Sequence, residues 1–168
     1  MNRFILNYLG VFFLLLSILS FFNIVYSYYF NLYLNVNTYF YTLLISLIVG
    51  IISFIKNKDD TKITIYIKII TVIIGYLILP LIISIPYYFS IYNISFINCY
   101  FESISGFTST GFTIFENIKH LDESLILWRS TSQWFGGIYF LFSIFDNIKQ
   151  IDQSIILWRS TSQWIGGL

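Results

Sequence analysis

Residues 105–113 read Ser105-Gly106-Phe107-Thr108-Ser109-Thr110-Gly111-Phe112-Thr113, and none of them is ionisable. Gly, Ser and Thr make this stretch a poor continuation of a helix. Two readings fit its composition. It is an ordinary polar surface loop, the commonest meaning of such a cluster. Or it is irregular backbone held at membrane depth, where it must be buried in protein or line a wet cavity. In the second case its carbonyl oxygens could replace the hydration shell of a cation without any formal charge. Gly111 permits backbone angles that aim a carbonyl inward. A helix ending at the same spot adds partial negative charge.

Other chemistry finds no support. There is no nucleophile–base pair, phosphate loop or metal-ligand spacing, so no enzyme and no cofactor are expected. His120 is the sole histidine and reads as a solvated loop residue. Cys99 is the sole cysteine, which excludes an intrachain disulfide. No basic run is long enough to track a nucleic acid backbone.

The elements that would position the stretch belong in lipid. The chain is 57% hydrophobic and 10% charged, with mean hydropathy +0.77. Soluble domains carry about 25% charged residues. There is no alanine, so close helix packing must use Gly and Ser. Apolar runs cover residues 4–26, 39–55, 63–85 and 124–145. The first is too long for a signal-peptide core and lacks a small-residue cleavage site. A spanning helix is the better reading there. Lys56, Lys58 and Lys62 place the loop after the second run in the cytoplasm. Arg3 and Lys149 then fall on the same side, and the N-terminus is cytoplasmic. The outer loop holding Lys119 also carries Glu116, Asp122 and Glu123.

Between the third and fourth runs, Asn93 or Ser95 could cap a helix start. A helix from there to Ser105 would be about 16 Å long. That is about half of a 30 Å hydrocarbon core, and suits a helix that dips in and returns. The expected fold is an all-α membrane protein. It has about four transmembrane helices, one re-entrant pore helix with a filter loop, and a short C-terminal interfacial helix.

Residues 101–111, F-E-S-I-S-G-F-T-S-T-G, resemble the first filter segment of Trk-type potassium transporters, F-E-x-x-S-G-[FL]-T-T-T-G. Residues 127–137, L-W-R-S-T-S-Q-W-F-G-G, resemble the motif opening the helix after that filter, L-W-R-S-x-x-Q-W-x-G-G. The resemblance is clear over residues 95–145 and topological before them. It implies a pore built from four repeats, each a helix, a half-helix with filter, and a second helix. In the TrkH-like branch two helices precede the first repeat. Residues 1–60 would be that hairpin and residues 61–147 the first repeat.

The resemblance further implies that Thr108, Ser109, Thr110 and Gly111 bind potassium (sodium is the alternative ion) through main-chain carbonyls. Glu102, Ser105, Gly106, Phe112 and Thr113 would support the filter. Trp128, Arg129, Gln133, Gly136 and Gly137 belong to the helix after it. Glu102 reads as a scaffold group bonded to the loop, against the alternative of a functional membrane carboxylate. Arg129 reads as a residue that snorkels or ties down a loop carbonyl rather than as a gate or selectivity charge. Gly136 and Gly137 read as close-packing positions. Two departures stand out: Ser109 replaces a frequent Thr, and Phe112 a frequent Ala.

One repeat offers a quarter of a carbonyl ring. The implied partners are therefore the remaining repeats or further copies of the chain, the bilayer, and a cytoplasmic nucleotide-binding regulatory subunit. The expected place is the cell's inner (plasma) membrane. A non-conducting membrane interaction protein is the competing function.

Residues 144–168 repeat residues 114–138 at an offset of 30, with 18 of 25 positions identical. The second copy has no filter before it. Residues 148–168 duplicate 118–138, and within them 157–168, too short to span, are expected to form an interfacial or partly inserted helix with Trp158 and Trp164 at headgroup level. The chain reads as a fragment unable to conduct alone, or as the product of a gene rearrangement.

Overall fold

The computed structural model describes residues 3–55, 65–115 and 121–145. The elements are α1 (Arg3–Tyr29), a 3-10 turn (Tyr33–Asn35), α2 (Val36–Ile55), α3 (Ile65–Ile83), α4 (Ile85–Tyr88), α5 (Phe96–Phe107) and α6 (Glu123–Phe145). No strand occurs among the described residues. The loop lysines, Glu116, His120 and the boundary after residue 60 lie outside them. So do Lys149, the duplicate and its expected interfacial helix.

The chain is an all-α membrane protein. Asn7–Tyr29, Tyr33–Ser53 and Ile69–Tyr88 are long and apolar enough to cross a bilayer. Large side chains such as Phe22, Ile48, Ile52 and Ile73 are more than half exposed. In water such a surface would drive association, whereas lipid accepts it. The expected fourth span, α6, has the length at 23 residues. It is not among the three apolar spans. Glu123, Arg129 and the run Ser130-Thr131-Ser132-Gln133 make its first half polar.

α1 and α2 form a hairpin. α1 ends in a Schellman cap, with Leu32 N–H bonded to Ser27 O at 2.8 Å and Asn31 N–H to Tyr28 O at 3.4 Å. Asn31 sits at φ 58°, a left-handed position that Asn tolerates well. Small residues let the helices close up, as the absence of alanine requires. Ser20 Oγ donates to Tyr39 O at 2.8 Å. A Cβ on Gly50 would lie 2.8 Å from Leu14 Cδ2 and 3.3 Å from Gly10 O.

The third run folds as α3 to Ile83, and α4 continues it after Ser84, with Pro80 inside α3 and Pro86 at the start of α4. Proline removes a backbone donor and bends the chain. Trp128 of α6 bonds there, its Nε1–H donating to Ile83 O at 3.0 Å.

The core joins α1, α3, α5 and α6. The Tyr139 ring centroid lies 4.7 Å from Phe12, 5.3 Å from Tyr76 and 5.6 Å from Phe107. Its hydroxyl donates to Thr71 O at 3.0 Å. A Cβ on Gly75 would fall 1.8 Å from that oxygen. The lower end of α5 therefore rests on a packed aromatic floor, contributed by three other helices.

Candidate filter loop

α5 has 12 residues, about 18 Å of helix. Ser95 holds the N-cap position but makes no side-chain cap bond, and Asn93 lies earlier at φ 50°. The helix runs past Ser105, where it was expected to end. Ser105, Gly106 and Phe107 are helical and buried. Packing overrides local preference here. Phe107 buries its ring against Phe135, centroids 5.7 Å apart. Gly106 fits beside α6, where a Cβ would stand 3.0 Å from Ser132 Oγ. The irregular backbone is thus 108–113, three residues shorter than the composition suggests.

α5 also closes in a Schellman cap. Thr110 N–H bonds Ser105 O at 3.1 Å and Ser109 N–H bonds Gly106 O at 3.0 Å. This places Ser109 at φ 57°, where glycine is the usual residue. Gly111 follows at φ 81°. Thr110 Oγ1 reinforces the turn through Ser105 O at 3.2 Å. Thr108 Oγ1 bonds Ile104 O at 2.7 Å. Ser109→Gly is expected to hold or raise stability by about 0.5–1 kcal/mol, and Ser109→Val to lower it by at least as much. Unfolding of the purified chain in detergent checks both. Destabilisation by Ser109→Gly would show that the Ser109 side chain, not its backbone angle, matters there.

The carbonyls divide into two sets. Ser105 O and Gly106 O accept the cap bonds. Phe112 O accepts from Ser105 Oγ and from Arg129 Nη2, the latter at 3.0 Å. Between them, no donor among the described residues bonds the carbonyls of Thr108, Ser109, Thr110 or Gly111. Thr108, Thr110 and Gly111 are exposed and Ser109 half-buried. The loop is fastened at both ends and free along its middle.

Glu102 does the fastening. It is fully buried. Its Oε1 pairs with Arg129 Nε at 3.1 Å. Oε2 accepts from Ile114 N–H at 2.9 Å and from Thr113 Oγ1 at 3.1 Å. A buried carboxylate is tolerated only when paired and hydrogen-bonded, and this one is both. Arg129 serves two partners because its guanidinium presents several donors in one plane. Glu102, Ser105, Gly106, Phe112, Thr113 and Arg129 thus meet around the two ends of the loop. Phe112 itself is 71% exposed, so its ring projects away from the protein.

Gly136 makes a different contact. A Cβ there would lie 1.7 Å from Phe107 O, so the backbones of α5 and α6 touch. Gly137 does not share this role, since a Cβ on it would meet nothing within 4 Å. Neighbouring helical positions face 100° apart, and only one of two adjacent glycines can point at a given partner. Gln133 is half-buried and makes no side-chain hydrogen bond among the described residues. The structure does not bring these two to the loop.

One group escaped the sequence reading. Asp122 precedes α6, and its Oδ2 accepts from Asn35 Nδ2 at 2.7 Å and Ser124 Oγ at 2.6 Å. Tyr39 Oη donates to Ser124 Oγ at 3.0 Å, and Asp122 N–H bonds Tyr92 Oη at 2.8 Å. This network ties the hairpin to the start of α6. Asp122 directly before an apolar run was a legible helix-start signal. Its partner Asn35, 87 positions away, was not.

No protein-family model matches the chain. It is 31% identical over 110 residues to an uncharacterized cation transporter of Methanocaldococcus jannaschii, covering 64% of this chain and 23% of that protein. It is 43% identical over 60 residues to the Trk system potassium uptake protein TrkI of Halomonas elongata, covering 36% and 11%. It is 39% identical over 46 residues to the Trk system potassium uptake protein TrkH of Vibrio parahaemolyticus, covering 27% and 10%. The matches to the curated relatives span less than a quarter of the relatives' own length. Over those stretches the chain is similar to proteins named as a cation transporter and as Trk system potassium uptake proteins.

Proposed function

We propose that this chain supplies one filter segment of a monovalent cation pathway, potassium by preference, within a Trk-type uptake system. The carbonyls of Thr108, Ser109, Thr110 and Gly111 would take the place of the ion's hydration shell. One observation carries the proposal: no donor among the described residues bonds these four consecutive carbonyls, whereas Gly106 O before them and Phe112 O after them are tied into the protein. The C-terminal end of α5 adds partial negative charge beside them. The relatives named as cation and potassium transporters support the same reading. α5, too short to span, would enter the bilayer and return, with the N-terminus in the cytoplasm.

A ring needs several such segments. Further repeats or further copies of the chain would complete it, and a cytoplasmic nucleotide-binding subunit would regulate it. The test is rubidium uptake in potassium-uptake-deficient cells by the full-length gene. Gly111→Asp is expected to abolish uptake, because an Asp at this position strains the φ 81° backbone and adds a charge beside the ion. Equal uptake by both forms would sink the proposal. It would leave the competing function, a membrane interaction protein that conducts nothing.

A further inference from the structure

Three oxygen atoms near the turn of the α1–α2 hairpin have no hydrogen-bond partner among the described residues: Asn23 Oδ1, Ser27 Oγ and Asn35 Oδ1. Their residues are 1%, 0% and 0% exposed, so bulk solvent does not reach them. The amide orientations are decided by their other ends. Asn23 Nδ2 donates to Leu19 O at 3.1 Å. Asn35 Nδ2 donates to the Asp122 carboxylate at 2.7 Å. A carbonyl or a carboxylate only accepts, so neither amide can be turned over to hide its oxygen.

The hairpin register sets the three residues at similar heights along α1 and α2. It is pinned by Ser20 Oγ on Tyr39 O, and α1 closes beyond that point with Leu32 N–H on Ser27 O. Asn23 and Ser27 lie within that stretch of α1, about 10 Å long. Asn35 ends the 3-10 turn, four residues before Tyr39, on the facing side of the hairpin. A buried polar group without a partner is costly, and ordered water is the usual remedy where two to four such groups converge.

We propose that one ordered water molecule binds inside the turn end of the hairpin. It donates to Asn23 Oδ1 and Asn35 Oδ1 and accepts from Ser27 Oγ–H. The stoichiometry closes: two acceptors and one hydroxyl match the two hydrogens and a lone pair of a single water. Asn35 also holds Asp122, so this water links α1 through Asn35 to the first turn of α6, the helix that carries Arg129. The site is independent of ion passage through the loop.

The test uses the full chain purified in detergent. Asn23→Leu and Ser27→Ala, which touch neither Asp122 nor the filter loop, are each expected to lower the melting temperature by about 2–6 °C. The double variant is expected to cost less than the sum, because the second loss falls on a water already loosened. A structure fine enough to show water should place one within about 3 Å of all three oxygens. A rise in melting temperature for Asn23→Leu would overturn the proposal, since deleting a merely orphaned oxygen is favourable. So would wild-type melting that rises with potassium or sodium and ceases to do so in Ser27→Ala, which would make the occupant an ion. Should Asn23→Leu fail to fold, the milder Ser27→Ala gives the same signs.

Discussion

Arg129→Leu is expected to destabilise the chain by about 3–5 kcal/mol, because it strands the Glu102 carboxylate without a counter-charge. Glu102 is fully buried, so water cannot replace the lost guanidinium. The same change frees Phe112 O from its 3.0 Å bond to Nη2. Arg129→Lys should recover only part of the loss, since a point-like ammonium cannot reach Glu102 and Phe112 O as a planar fork does. Combining Glu102→Gln with Arg129→Leu removes both charges at once. The double variant should therefore be more stable than Arg129→Leu alone, by about 2 kcal/mol or more. Unfolding of the four forms in detergent measures the coupling. Additive effects would show that the pair is worth no more than a surface ion pair.

Gly136→Ala is the second large effect. The new Cβ would stand 1.7 Å from Phe107 O, 2.6 Å from its carbon and 3.1 Å from its Cα. These are backbone atoms at the end of α5, with no rotamer to change. α5 and α6 must then separate by an amount on the order of 1.5 Å, which opens the contact between Phe107 and Phe135 and moves the loop. Overpacking of this kind costs about 1–3 kcal/mol, and rigid backbone puts this site at the upper end. Loss of cation uptake should accompany it even in folded protein, because the four free carbonyls follow Phe107 directly. Gly137→Ala is the matched control. With nothing within 4 Å of its Cβ, it should be neutral, or stabilising by up to about 1 kcal/mol through helix propensity. If the two substitutions behaved alike, the backbone contact at Gly136 would be unimportant.

These effects bear on how the loop is held. Its two ends are fastened by side chains from α5 and α6, and its floor is the aromatic cluster around Tyr139. Nothing among the described residues binds the four carbonyls between. Unbonded oxygens on backbone fastened at both ends are what the proposed coordination of a dehydrated ion would use.

Composition and run length alone determined the solvent and the fold class. Too few polar residues exist to cover this chain in water, and runs of about 20 apolar residues match a bilayer. The helices at 3–29, 36–55 and 123–145 fall close to the runs because both obey the same length limit. The motif around residue 105 marked a helix end nearby, although the Ser130-Thr131-Ser132 run lies inside the unbroken α6. What the tertiary structure alone decided is which of these residues meet. The end of α5 moved from Ser105 to Phe107 because a buried ring outweighs the local preference of Ser and Gly. Gly136 and Gly137 look identical in sequence, yet only the packing partner distinguishes them. Asn35 and Asp122 lie too far apart along the chain for any local pattern to pair them. Periodicity and composition act over a few residues, whereas burial and pairing are properties of neighbours that the chain brings together only when folded.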